Sequence, residues 1–144
     1  MSDIELSDDK ARLDVTRIHG WLAGSYWSPG IARARVERAI AHSHCLGAYR
    51  GGEQIGFARL ISDRATFAWL ADVWVAEGAR GTGVGRRLVA WFLEHPDYRD
   101  LRRIGLTTRD AHGVYAALGF RPLARADYYM ERISPELARL YAAR

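Results

Sequence analysis

The chain opens its first clear pattern at Asp14, where apolar positions Val15, Ile18, Trp21 and Leu22 recur at helical spacing and Gly24 follows. A capping carboxylate before an apolar stripe and a glycine after it predict a helix over that run. The stretch Ser25-Tyr26-Trp27-Ser28-Pro29-Gly30 interrupts the periodicity, and Ile31, Ala34, Val36 and Ile40 predict a second helix from about Ile31 to His42. Short apolar runs then replace the helical period. Cys45 to Tyr49 and Gln54 to Ile61 flank Arg50-Gly51-Gly52 and predict a hairpin, while Asp63-Arg64-Ala65 separates it from Thr66 to Ala76. That last run is apolar on both faces, which marks a central strand.

Val84, Leu88, Trp91 and Phe92 share one side of a helix that ends near Glu94, ahead of Pro96. Arg103 to Thr108 is the next predicted strand and Ala111 to Leu118 a short helix. Phe120 to Ile133 forms a last pair of strands, and Pro135 to Ala143 a closing helix. No linker, repeat or low-complexity stretch divides the chain. The fold expected is α/β, one domain over residues 1–144, with a mostly antiparallel sheet covered by helices.

Composition narrows the class. A chain of 144 residues, 49% hydrophobic, is long enough for one domain with its own core. No apolar run reaches the roughly eighteen residues of a membrane span, and the N-terminus lacks the basic start and apolar centre of a signal peptide. A soluble cytoplasmic protein is expected. The only cysteine, Cys45, excludes an internal disulfide, and its apolar neighbours favour an inert buried thiol over a nucleophile. The net charge of +4 is spread along the chain rather than gathered in a stripe. It fits an anionic small molecule better than nucleic acid.

The segment carrying most chemistry is Arg80-Gly81-Thr82-Gly83-Val84-Gly85-Arg86, between the central strand and the amphipathic helix. Alternate glycines let backbone N–H groups turn toward one concavity, and a helix start adds its positive dipole end, so a phosphate is the natural guest. Arg80, Arg86 and Arg87 supply cations beside it. A Walker loop would end in Gly-Lys-Ser/Thr, but Arg86-Arg87 follow Gly85 here. A dinucleotide loop would need glycine where Arg86 stands, and an acid near Gly105 that is missing.

Arg80, Gly83 and Gly85 match the signature Arg/Gln-x-x-Gly-x-Gly/Ala, and the chain thereby resembles the GNAT superfamily of N-acetyltransferases. A second match runs from Thr107 to Pro122, where a strand, a helix carrying Tyr115 and a closing Gly119-Phe120 are similar to the family's later motif. The resemblance spans roughly residues 66 to 122. It implies acetyl-CoA as co-substrate, bound at Arg80, Gly81, Thr82, Gly83, Val84, Gly85 and Arg86. It also implies that backbone at Val73, Trp74 and Val75 pairs with the pantetheine arm, an N–H at Val75 polarising the thioester carbonyl. Tyr115 falls where the family places the tyrosine that protonates the departing thiolate. Its alternative is an ordinary amphipathic helix tyrosine. Thr108 occupies a position where many relatives carry a cofactor-contacting asparagine. Asp110 reads as an N-cap before Ala111, and His112 as a surface or packed histidine.

Asp72 is the one charged residue of the central strand. Buried without a partner it would be costly, so it is either paired, with Arg59 or another arginine, or serves as a general base toward the ammonium substrate. Tyr26, Trp27, Arg59 and Trp69 are the candidates to line the acceptor pocket, the aromatic faces attracting a cationic amine. His19, His42 and His44 lack metal-ligand spacing, so no metal is expected. The leading expectation is acetyl transfer to a primary amine of a small molecule or peptide by direct attack. A non-catalytic acyl-CoA-binding sensor or regulatory module is the alternative, and a nucleotide-binding protein a third. Neither nucleic acid nor membrane is an expected partner, and edge strands and the last helix leave a homodimer open.

Overall fold

Asp14 caps the first helix as its position implies, accepting a hydrogen bond from Arg17 N–H, and Gly24 ends it, giving α1 over Val15–Ala23. The computed structural model describes residues 3–143. Its chain falls into two compact units, Met1–Asp110 and Ala111–Arg144. In the first, α1 is followed by α2 (Arg33–Ala41), which starts two residues later than the periodicity suggests. Ile31 packs against the core instead of beginning the helix.

A five-stranded sheet runs in the order β1 (Glu5–Ser7), β2 (His44–Arg50), β3 (Glu53–Ser62), β4 (Phe67–Val75) and β5 (Arg103–Gly105). The first four strands pair antiparallel and β5 runs parallel to β4. Gly51 and Gly52 form the two-residue hairpin turn, both at positive φ (59° and 82°), a conformation that side chains resist. Parallel pairing of β4 and β5 requires a crossover, which α3 (Val84–Glu94) provides.

Alternation along β3 sorts the helices. Phe57 joins Ile18, Leu22, Val36, Ile40 and Cys45 in the cluster beneath α1 and α2. Its neighbour Gly56 faces the other way, where an added Cβ would lie 3.2 Å from Val84 and Leu88 of α3. Cys45 is buried and its Sγ lies 3.7 Å from the Ile40 carbonyl; burial pushes the thiol up to about 11, which is the inert cysteine expected.

Strand β1 has no counterpart in the sequence reading, and the structure corrects three other expectations. β5 stops at Gly105 rather than Thr108, because the chain leaves β4 there and the Arg109 N–H donates to the Tyr26 hydroxyl at 2.9 Å. Asp110 is not the cap of α4: that helix is His112–Ala116 with Ala111 at its N-cap and no capping side chain among the described residues, and Arg109 Nη2 lies 3.4 Å from the Asp110 carboxylate. The third concerns the second unit. No strand forms over residues 120–133 among the described residues. Arg125 grips Asp127 through two hydrogen bonds of 2.9 and 2.6 Å, closing a 3-10 turn at Ala126–Tyr128 in the middle of the run. The unit otherwise holds α4, closed by Gly119 at φ 96°, and α5 (Pro135–Ala142), capped by Ser134.

Candidate functional site

The glycine segment forms an open cradle at the head of α3. Gly81 and Gly83 stand at φ 80° and 85°, and an added Cβ at either would meet nothing within 4 Å, so backbone conformation rather than space requires glycine there. Gly83 is the N-cap of α3 and brings no side chain to the helix start. The first helical N–H groups therefore keep their positive end toward solvent, with no acidic side chain in the first turn. Gly81, Thr82, Gly83, Arg86 and Arg87 are exposed, while Val84 is buried and anchors the helix on the sheet. Thr82 donates its hydroxyl proton to the Ala79 carbonyl, and Gly85 passes Val75 closely, an added Cβ lying 3.4 Å from its Cγ2.

Upstream of the cradle the second half of β4 has an open edge. β5 pairs with β4 over Phe67–Trp69, so among the described residues no strand flanks Leu70 to Val75 on that side. Ala76 N–H donates to Ile55 O at 2.8 Å, and the alternation of an antiparallel ladder turns the N–H and C=O of Val75 away from β3. Consistent with that, the Val75 carbonyl accepts Arg80 Nε at 3.1 Å, and the Arg80 guanidinium lies 5.3 Å from the centre of the Trp74 ring.

The edge is shaped by a bulge. Phe57 faces Trp74 and Arg59 faces Ala71, leaving Asp72 and Val73 opposite the single residue Ala58. Asp72 takes the left-handed conformation, φ 55°, which a bulge of this type usually reserves for glycine. Its carboxylate is held from two sides, Oδ1 by Trp27 Nε1 and Oδ2 by Arg59 Nε, each at 2.9 Å. Arg59 also donates to Ser43 Oγ at 3.0 Å. With side chains only 11% and 16% exposed, Asp72 and Arg59 form the most buried ion pair among the described residues after allowance for the histidine pair at His44. They border a partly open cavity of about 50 Å³ lined also by Leu22, Ser28, Ile31 and Phe57, room for a few water molecules.

Tyr26 stands edge-on to Trp27 at 5.0 Å, and Trp27 meets Trp74 at 5.9 Å. The face of Tyr26 expected to attract a cationic amine already carries the Arg109 guanidinium, 3.9 Å from the ring centre. Tyr26, Trp27, Arg59 and Asp72 are thus brought together. Trp69 is not: it lies opposite Ile61 with its ring over Gly105, and no ring contact links it to Tyr26 or Trp27 among the described residues. Thr108 follows β5 in the non-helical stretch before Asp110. Arg109 is the site residue that sequence reasoning missed, since its partner Tyr26 is distant in the chain.

In the second unit, Tyr115 is half-buried on α4, its ring edge-on to Phe120 at 5.8 Å, and its carbonyl accepts the N–H groups of Leu118 and Phe120. His112 is exposed at the start of the same helix. His19 is bound to the Ile31 carbonyl and His44 to Asp8 and Tyr98. Among the described residues no group of three His, Cys, Asp or Glu side chains is placed to hold a metal, and no helix is long and apolar enough to cross a membrane.

Comparison with known proteins bears on what this arrangement serves. The model of a family described as the acetyltransferase (GNAT) family matches residues 12–120. A crystal structure assigned to an acetyltransferase of the GNAT family from Xanthomonas campestris pv. campestris superimposes with a TM-score of 0.91 at 44% identity, over 95% of this chain and 97% of that one. A protein of Gibberella zeae named as an acetyltransferase is 29% identical over 75% of this chain and 73% of its own. In fold alone the chain is also similar to an acetyltransferase of Clostridium acetobutylicum whose crystal structure contains acetyl-CoA, with a TM-score of 0.67 at 16% identity, covering 92% and 96%.

Proposed function

Because this chain belongs to the GNAT acetyltransferase family, we propose that it transfers an acetyl group from acetyl-CoA to a primary amine of a small molecule or peptide by direct attack. The observation that carries this reading is the continuity of the open Val73–Val75 edge with the uncapped, glycine-lined start of α3. One element offers strand-like amides and the next offers phosphate-binding amides. Acetyl-CoA supplies an activated thioester with a long polar arm and a diphosphate, which is the pair of chemistries these two surfaces suit.

The chain's own residues divide the work. Amides from Gly81 to Arg86 bind the diphosphate, with Arg86 adding charge. Backbone at Val75 pairs with the arm, Val73 and Trp74 completing that stretch of strand, and the Val75 N–H polarises the thioester carbonyl. The amine nitrogen forms its bond to the carbonyl carbon as the carbon–sulfur bond breaks, the amine's surplus proton goes to water, and Tyr115 gives its phenolic proton to the departing sulfur and regains one from water. Thr108 contributes a hydroxyl to the arm. Asp72, gripped by Trp27 and Arg59, acts as a positioning residue that holds the bulge.

Isothermal titration with acetyl-CoA, followed by thiol release across a panel of amines, tests the reading. Micromolar binding, amine-dependent thiol release, and loss of turnover with affinity retained in Tyr115→Phe are the expected results. No binding of acetyl-CoA overturns it, while binding without turnover on any amine would leave a sensing module.

A further inference from the structure

The aromatic rings beside the β4 bulge are already occupied by cations of the chain itself. The Arg109 guanidinium lies 3.9 Å from the centre of the Tyr26 ring, and the Arg80 guanidinium 5.3 Å from that of Trp74. Asp72 is bound by Trp27 at one oxygen and by Arg59 at the other. A pocket built to recruit a cation would leave such groups open. Here a second positive charge on the acceptor would meet arginines instead.

Arg109 is held in place without being used up. Its N–H donates to the Tyr26 hydroxyl at 2.9 Å while its guanidinium covers the same ring, so Tyr26 fixes the residue at both ends. Among the described residues its guanidinium makes one hydrogen bond, from Nη2 to Asp110 at 3.4 Å. That pair is long, and its side chains are 52% and 63% exposed, so it neutralises little of the charge. A planar guanidinium already ordered on an aromatic face, with N–H groups to spare, suits a carboxylate.

We propose that Arg109 binds a carboxylate on the acceptor, and that the amine acetylated carries that carboxylate several bonds from its nitrogen, as an ω-amino acid does. The proposal rests on the acetyl-transfer reading above. One arginine with a partial counter-charge matches one negative charge, since Arg59 is committed to Asp72 and Arg80 to the Val75 carbonyl. The spacing follows from the rings. Trp74 adjoins Val75, Trp27 lies 5.9 Å from Trp74, and Tyr26 lies 5.0 Å from Trp27, with no ring contact between Tyr26 and Trp74 among the described residues. Arg109 sits on Tyr26 and so stands two rings from the strand edge at which the amine reacts. An α-amino acid, whose nitrogen and carboxylate share one carbon, is too short for that gap.

Calorimetric titration of the full chain in the presence of free coenzyme A, which permits no transfer, tests the proposal. The probes are 4-aminobutyrate, 6-aminohexanoate and triglycine, each beside its own carboxamide, with glycine as the short acid. The acids are expected to bind at least about 10-fold more tightly than their carboxamides, the size of a lost charge-assisted hydrogen bond. Arg109→Gln erases that preference and Arg109→Lys restores part of it, whereas a merely structural Arg109 would shift acid and carboxamide alike. No acid binding, carboxamides binding as well as the acids, a preference that survives Arg109→Gln, or glycine binding as tightly as the longer acids overturns the proposal. Thiol release from acetyl-CoA with the same acceptors separates the two readings. An acid preference that depends on Arg109 without any thiol release keeps the carboxylate site and overturns acetyl transfer to these amines.

Discussion

If Asp72 is the clasp of the bulge rather than a base, its replacements separate in a particular order. A residue other than glycine held at φ 55° costs about 1 kcal/mol or more, and Asp72 sustains that conformation through two hydrogen bonds from Trp27 and Arg59. Asp72→Ala keeps the strain, removes both bonds and leaves the Arg59 guanidinium without its carboxylate at a site 16% exposed. Loss of one partner from a buried pair costs about 3–5 kcal/mol, and the small residual exposure brings the expectation to about 2–4 kcal/mol. Asp72→Gly loses the same bonds but not the conformation, so it should be more stable than the alanine variant by about 1 kcal/mol. Combining Asp72→Gly with Arg59→Met removes the stranded charge and should recover part of the remainder.

Urea unfolding gives the stabilities and acetyl-CoA titration reports the edge that the bulge shapes. The clasp predicts that affinity follows stability, falling further in Asp72→Ala than in Asp72→Gly. A base predicts something different: all variants fold and bind acetyl-CoA like the wild type, and all lose turnover alike. That second pattern, or an alanine variant at least as stable as the glycine one, refutes the clasp.

Three further outcomes follow from the geometry. Gly56→Val should destabilise the fold by about 1–3 kcal/mol in urea, because Val84, Leu88 and Ala48 already stand 3.2 Å from where its Cβ would begin. His44 takes its Nε2 to Asp8 at 2.9 Å, while Tyr98 and Arg64 crowd Nδ1, and burial foremost holds its pKa below the usual 6.5 despite the Asp8 carboxylate. The unfolded chain therefore binds the proton more readily. Stability is full above about pH 6.5 and declines as pH falls through the lowered value, a slope in the urea midpoint that His44→Gln should flatten. Cys45, buried and pushed up to about 11, should resist a thiol reagent at neutral pH in the folded chain and react at once in urea.

What the sequence announced and what it hid divide by the range of the interactions. Asp14 and Gly24 bound α1, Gly51-Gly52 turns the hairpin, and Gly83 starts α3, all through bonds that span a few residues. Strand β1 went unseen because Glu-Leu-Ser has no strand pattern of its own. It exists by pairing with β2 and by Arg12, which holds Glu5 through two 2.9 Å bonds while lying over the Tyr49 ring. The candidate site splits the same way. Its glycines and arginines are contiguous and were legible, whereas the state of Asp72 depends on Trp27, 45 positions earlier, and on a one-residue slip between β3 and β4. An isolated aspartate in an apolar strand reads equally as base or ion pair. Only the left-handed backbone beneath it shows why a charge stands there: the bulge needs a residue in a conformation that costs energy, and two donors from other elements hold it in place.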